Sequence, residues 1–154
     1  MLKDLSYLDG ITDFDREVFA RLLPQDNALV QATKRIDWDS LGEIVSSYYC
    51  RDLGQPAYDP LRMLKLEFLK YRHMLSDRQV MERAITDLSF RYFLQVGHMF
   101  EPPHATCLCH FRGRLGAEGF RRVFDEMVAQ AREAGLVKDR LRLKDARGSD
   151  TRLT

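Results

Sequence analysis

Cysteine is scarce in this chain: Cys50, Cys107 and Cys109 are the three among 154 residues. An odd count with no CxxC spacing leaves no closed disulfide framework and points to reduced thiols of the cytoplasm. Long apolar runs are missing too. None approaches the roughly 18 residues that a membrane span requires, and the N-terminus lacks the basic start and apolar core of a secretory leader. The chain is therefore expected to be soluble and cytoplasmic, with no membrane among its partners. It also lacks a Gly-rich phosphate loop, a nucleophile elbow and an HExxH pattern. Internal repeats and low-complexity tracts are absent as well.

No charge of one sign dominates, since the formal net charge is +1. That balance conceals an asymmetry. Residues 1–59 hold 6 Lys+Arg against 11 Asp+Glu, residues 60–122 hold 11 against 6, and residues 123–154 hold 7 against 6. An acidic front thus precedes a basic middle that phosphate backbones attract, although an excess of this size is an ordinary solvated surface in many proteins. With 45% hydrophobic residues the chain can bury a core of one domain, or of one domain and a fragment of another.

What is present reads as helices. Phe14, Val18 and Leu22 recur at spacing four, with Phe19 and Leu23 beside them, which predicts an amphipathic helix over 13–23 stopped by Pro24. Asn27 can cap a second helix through Ile36. Asp37 or Asp39 can cap a third that buries Trp38, Leu41, Ile44, Val45 and Tyr48. Asp59-Pro60 starts a helix to about His73 that is apolar on nearly every side, hence central, with Lys65, Lys70 and Arg72 expected to carry their heads out to solvent. Ser76 and Gln79 form a capping-box signal for a helix that turns Val80, Met81, Ala84, Ile85 and Leu88 inward and Arg78, Gln79, Glu82 and Arg83 outward. The aromatic segment 88–94 reads as core sooner than as a base-stacking platform.

In the stretch 106–115, Leu108, Phe111 and Leu115 fall on one stripe, with Thr106, Cys109, His110, Gly113 and Arg114 opposite. Small residues and donors on an exposed face suit close approach to a groove, while an ordinary surface helix is the plainer alternative. Gly116 is expected to end this helix. A longer one follows through Phe120, Val123, Phe124, Met127, Val128 and Ala131, stopped by Gly135. Beyond it Leu141 and Leu143 alternate with Arg140, Arg142 and Lys144, which predicts an orphan β-strand ending on Asp145. The fold class is thus mainly α, a compact multi-helix bundle with a helix-turn-helix-like basic part and one strand near the C-terminus. His104, Cys107, Cys109 and His110 invite a zinc reading. On a helix, however, Cys107 and Cys109 point about 200° apart, and Cys107 with His110 supplies only two ligands, so no metal site is expected.

Three blocks in order, Tyr58-Asp59-Pro60-Leu61-Arg62-Met63-Leu64, Leu75-Ser76-Asp77-Arg78-Gln79-Val80 and Asp87-Leu88-Ser89-Phe90-Arg91-Tyr92-Phe93-Leu94, resemble the N-terminal region of bacterial insertion-sequence transposases of the DDE type with an InsH-like N-terminal domain. Cys109-His110-Phe111-Arg112-Gly113-Arg114-Leu115 is similar to that family's next block, and Gly135-Leu136-Val137 to its lead into the catalytic domain. The resemblance implies a helical DNA-binding domain over 1–135 that engages terminal inverted repeats. It implies the start of an RNase H-like catalytic domain over 136–154, with Asp145 as the first acid of the Asp-Asp-Glu set. DNA and further copies of transposase are the implied partners. Arg78, Arg83, His110, Arg112 and Arg114 are the residues expected to meet DNA, Arg112 bordering the apolar stripe. The second Asp and the Glu have no counterpart in the tail. The chain is accordingly expected to be truncated, catalytically incomplete and without a cofactor of its own, Mg²⁺ being implied only for a full-length homologue. The family commonly carries an acid near His104, so the helix beginning there is expected to be capped differently. A protein-interaction module that regulates full-length transposase through 120–131 is the alternative function.

Overall fold

The computed structural model describes residues 10–49 and 58–135, which form seven helices and, among the described residues, no strand. The predicted strand ending on Asp145, and the catalytic-domain start at 136–154, lie outside the described residues.

Most helices begin where a local acceptor meets free backbone N–H groups. In α1 (Asp13–Leu22) the Thr12 hydroxyl accepts from the N–H of Asp15, whose carboxylate accepts from the Thr12 N–H in return. In α2 (Ala28–Arg35) Asn27 accepts from the N–H groups of Leu29 and Val30. Asp37, rather than Asp39, caps α3 (Trp38–Ser46) by accepting from the Ser40 N–H. Asp59 caps α4 (Pro60–Arg72), whose first residue is a proline with no N–H to orphan. The Ser76–Gln79 capping box opens α5 (Asp77–Thr86) as expected. Asp87 then both terminates α5 and caps α6 (Leu88–Leu94), accepting from the N–H groups of Ser89 and Phe90. In α7 (Thr106–Glu133) a single residue, Gly116, leaves helical geometry at φ 63° and ψ −177°, so the two expected helices abut across it. Positive φ suits glycine there because a Cβ would crowd the following carbonyl.

Helix α4 is the hub. It packs against α3, α5, α6 and α7, while α2 lies on α6 and α3 also lies on α7. Met63, Leu64, Leu66 and Leu69 from α4 meet Leu41 and Val45 of α3, Val80 and Ala84 of α5, Phe90 and Phe93 of α6, and Leu108 and Phe111 of α7 in one continuous core. Phe68 stacks on Phe93 at 5.3 Å, and Trp38 sets its edge against both. Among the described residues no helix is long and apolar enough to cross a membrane.

Several expectations about faces fail, among them that for Ile85 of α5, expected inward but 51% exposed beyond the buried Val80, Met81 and Ala84. The spacing-four set of α1 does not face the core, since Phe14 and Leu22 are 62% and 67% exposed while Phe19 and Asp15 are buried. The helix is attached along one narrow line. Phe19 meets Tyr92 edge-on at 5.4 Å, and Asp15 accepts from the His98 N–H at 2.9 Å and contacts its ring Nδ1. The line is kept close by Gly97, where a Cβ would stand 2.3 Å from the Gly10 carbonyl oxygen. Lys65 does not reach solvent either. It is 5% exposed, donates from Nζ to the Phe93 carbonyl at 2.9 Å, and lies over the Trp38 and Phe93 rings. The last carbonyls of a helix lack intrahelical donors, and Lys65 supplies one to α6. Burial, with the nearby Arg62 charge, lowers its amine to about 8.

Candidate nucleic-acid interface

The first half of α7 presents two faces. Leu108, Phe111 and Leu115 are buried, whereas Thr106, Cys109, His110, Gly113 and Arg114 are exposed, as the periodicity predicts. Its start is capped from an unusual side. The Thr106 N–H donates to His104 Nδ1 at 3.2 Å, and the residue at the cap position itself, Ala105, offers no side-chain acceptor.

Gly113 is the informative position on the exposed face. A Cβ built there meets nothing within 4 Å, and its φ is not positive, so neither packing nor backbone geometry asks for glycine. A glycine inside a helix nevertheless destabilises it by roughly 0.5–1 kcal/mol relative to alanine.

Arg112 stands between the two faces and ties three helices together. Its guanidinium donates to both carboxylate oxygens of Asp77 at 2.9 and 2.8 Å, and to Glu67 at 2.5 Å. Lys70 completes the cluster, 3.0 Å from Asp77. Hydrogen bonds from Arg112 hold the Asp77 carboxyl down at about 2 despite some burial. Burial instead pushes the Glu67 carboxyl up, against the opposing pull of Arg112. The Asp77 hydrogen bond raises Arg112 above its ordinary value. Two acids and two bases make the cluster neutral, so it fastens the helices without adding field at the surface.

The other residues expected to meet DNA have separate surroundings. Arg78, next in sequence to Asp77, is exposed and, among the described residues, paired with Glu82 one turn on, at 3.2 Å. Such an exposed pair is weak and readily exchanged for another anion. Arg83 is engaged internally, bound to Asp87 at 2.7 Å with its guanidinium 4.4 Å over the Phe90 ring. His110 is exposed, and the Arg114 guanidinium lies 4.7 Å over Tyr49 with donors left for a ligand.

Residues 17–114 match the family described as Transposase domain (DUF772). The chain belongs to this family. A relative from Rhizobium meliloti, described as an uncharacterized protein, ORF8 in the nfe locus, is 28% identical over 133 residues, covering 84% of this chain and 63% of the relative. The chain thus spans less than two thirds of that relative's length. No solved structure matches the chain.

The transposase-domain match takes in Arg78, Arg83, His110, Arg112 and Arg114 and stops two residues before the break at Gly116. Asp145 lies beyond the match and outside the described residues. Among the described residues no group of three His, Cys, Asp or Glu side chains is placed to hold an ion. Of the thiols, Cys109 is exposed and Cys107 half-buried.

The sequence reading of the transposase domain took Tyr48 only as a core residue and did not single out Tyr49. Tyr49 underlies Arg114, and the Tyr48 hydroxyl accepts from Arg122 at 3.3 Å. These partners lie more than sixty positions apart in the chain, so no local pattern announces them.

Proposed function

We propose that this transposase domain binds duplex DNA, at the terminal inverted repeats of its mobile element, through the exposed side of α5 and of the first half of α7. Gly113 carries the reading. An interior glycine that the fold does not require, on a face otherwise made of Thr106, Cys109, His110 and Arg114, is accounted for by a partner that approaches the backbone closely. A phosphate-lined groove is such a partner, and membership of a transposase family supports it. Arg78, His110 and Arg114 are the direct contacts. Arg83 and Arg112, whose guanidiniums are held by carboxylates of the fold, stand behind them. Guanidinium groups recognise phosphate through charge-assisted hydrogen bonds.

Fluorescence anisotropy with a labelled inverted-repeat duplex tests this. Affinity is expected to fall linearly on a log–log salt plot, with a slope near −0.9 for each phosphate neutralised. Arg78→Gln and Arg114→Gln should each flatten that slope by about one phosphate equivalent. Binding that is absent, or insensitive to salt, overturns the proposal.

A second reading has its own observation. Phe124 and Tyr71, 65% and 67% exposed, rim an apolar groove of about 650 Å³ between α3, α4 and the second half of α7. That surface suits pairing with another transposase copy, making the chain a regulator of full-length enzyme. Co-purification with a full-length relative in the absence of DNA supports it, and loss of that association in Phe124→Asp locates it.

A further inference from the structure

Resting on the DNA reading, we propose that Arg112 is a positioning residue: its fork, seated between Asp77 and Glu67, sets the first turn of α5 against the first half of α7 so that Arg78 and Arg114 meet one duplex together. Geometry makes the case. Asp77 is the first residue of α5, and Arg78 follows it. Arg112 lies in α7, immediately before Gly113 and Arg114. The hydrogen-bonded carboxylate thus joins the two surfaces at the residues adjoining their exposed cations. Glu67 anchors the same guanidinium to α4, the hub, and is itself 1% exposed. A planar fork that donates to three carboxylate oxygens fixes direction as well as distance, which an ammonium on a flexible stem does not. The guanidinium is in turn occupied, with its charge answered within the fold, so it is badly placed to serve as a phosphate contact. Direct tethers between α5 and α7 are otherwise few. Each packs chiefly on a third element, α5 on α4 and α6, and α7 on α3 and α4. Their relative placement therefore depends on this cluster more than on shared apolar surface.

Charge makes the test decisive. Asp77→Asn removes a negative charge from beside the proposed interface, so electrostatics alone predicts tighter binding to DNA. A positioning role predicts the opposite, a loss of roughly five- to tenfold, because the fork no longer has an ionised acceptor to hold it. Arg112→Lys keeps the charge and removes the fork. It should weaken binding to a similar extent, whereas a direct phosphate contact would be largely preserved by lysine. Arg112→Met is avoided because it leaves the buried Glu67 without its partner and endangers the fold. Amide hydrogen exchange on the free protein supplies a readout that does not involve DNA. Gln79 and Val80, in the first turn of α5, should exchange faster in both variants, with Leu66 and Leu69 of α4 unchanged. Weaker duplex binding together with faster exchange in that turn supports the assignment. Tighter binding by Asp77→Asn, full binding by Arg112→Lys, or unaltered exchange overturns it. If the wild-type protein fails to bind the duplex at all, the DNA reading falls, and the exchange data still decide whether the cluster is a clamp.

Discussion

Replacing Gly113 with alanine separates the demands of the fold from those of a partner. The added methyl meets no atom within 4 Å, and the backbone there is not in the left-handed region, so the folded state accepts it without strain. The unfolded chain loses conformational freedom, and the helix should be stabilised by roughly 0.5–1 kcal/mol. For a chain of this length that corresponds to a rise in Tm of roughly 1–4 °C. At the proposed interface the same methyl projects by about one bond length, ~1.5 Å, into the space a phosphate backbone would occupy. A tightly fitted contact answers such an intrusion with roughly 1–2 kcal/mol, which is about five- to thirtyfold in Kd. The expected outcome is therefore a more stable protein that binds duplex DNA less well, measured by thermal melting and by anisotropy on one preparation. Unchanged affinity beside the higher Tm would remove this face from the interface. A lower Tm would show that Gly113 serves the fold after all.

Lys65→Met should stabilise the protein at neutral pH. Lowering an amine from 10.5 to about 8 corresponds to roughly 3 kcal/mol, and losing the bond to the Phe93 carbonyl returns about 1, leaving a gain of about 2 kcal/mol. Between those two values the unfolded chain holds more protons than the folded one, so wild-type stability rises with pH and the advantage of K65M should shrink across that window. Urea midpoints at pH 7 and pH 10 check this, and a pH-independent gap would place the origin elsewhere. In acid the slope keeps the same sign, but there it comes from a group that stabilises the fold. Burial tends to raise the Asp15 carboxyl, but hydrogen bonds from Thr12 and His98 outweigh it and hold the group at about 2 against an ordinary 3.8. Its contribution is therefore complete above 3.8 and lost as pH falls through about 2. Asp15→Asn should lower stability by about 1–2 kcal/mol near neutrality and flatten the acid-unfolding curve in that interval, as followed by circular dichroism. Leu66→Ala, which empties a wholly buried site on the hub helix, should destabilise by about 2–5 kcal/mol.

The legible features share a short range. Asn27, Asp59, Ser76 and Gln79 act on N–H groups two or three residues away, and Pro24 and Gly116 act on their own backbone, so chain order alone reveals them. The exposed side of residues 106–115 was legible for the same reason, because helical periodicity assigns a face once one stripe is known to be apolar. The features that escaped depend on partners far along the chain. Asp15 turns inward because His98, 83 positions away, needs an acceptor, and that contact rotates the expected apolar stripe of α1 toward solvent. Lys65 is drawn in by a carbonyl 28 positions on, where periodicity sees only a long basic side chain on the central helix. Arg112 borders the apolar stripe in sequence, but its occupation by Asp77 and Glu67 follows from how α4, α5 and α7 meet, which no single-helix projection contains.

Asp87 closes one helix and opens the next with no spacer between them. Inserting or deleting a residue at that joint would rotate everything downstream by about 100° about the axis of α6. Phe90 and Phe93 would be carried out of the centre of the molecule and the Lys65 contact broken with them. The elbow should therefore be intolerant of any length change while accepting substitutions that keep a short oxygen acceptor. A one-residue indel scan across 84–91, scored by soluble yield, would trace its edges.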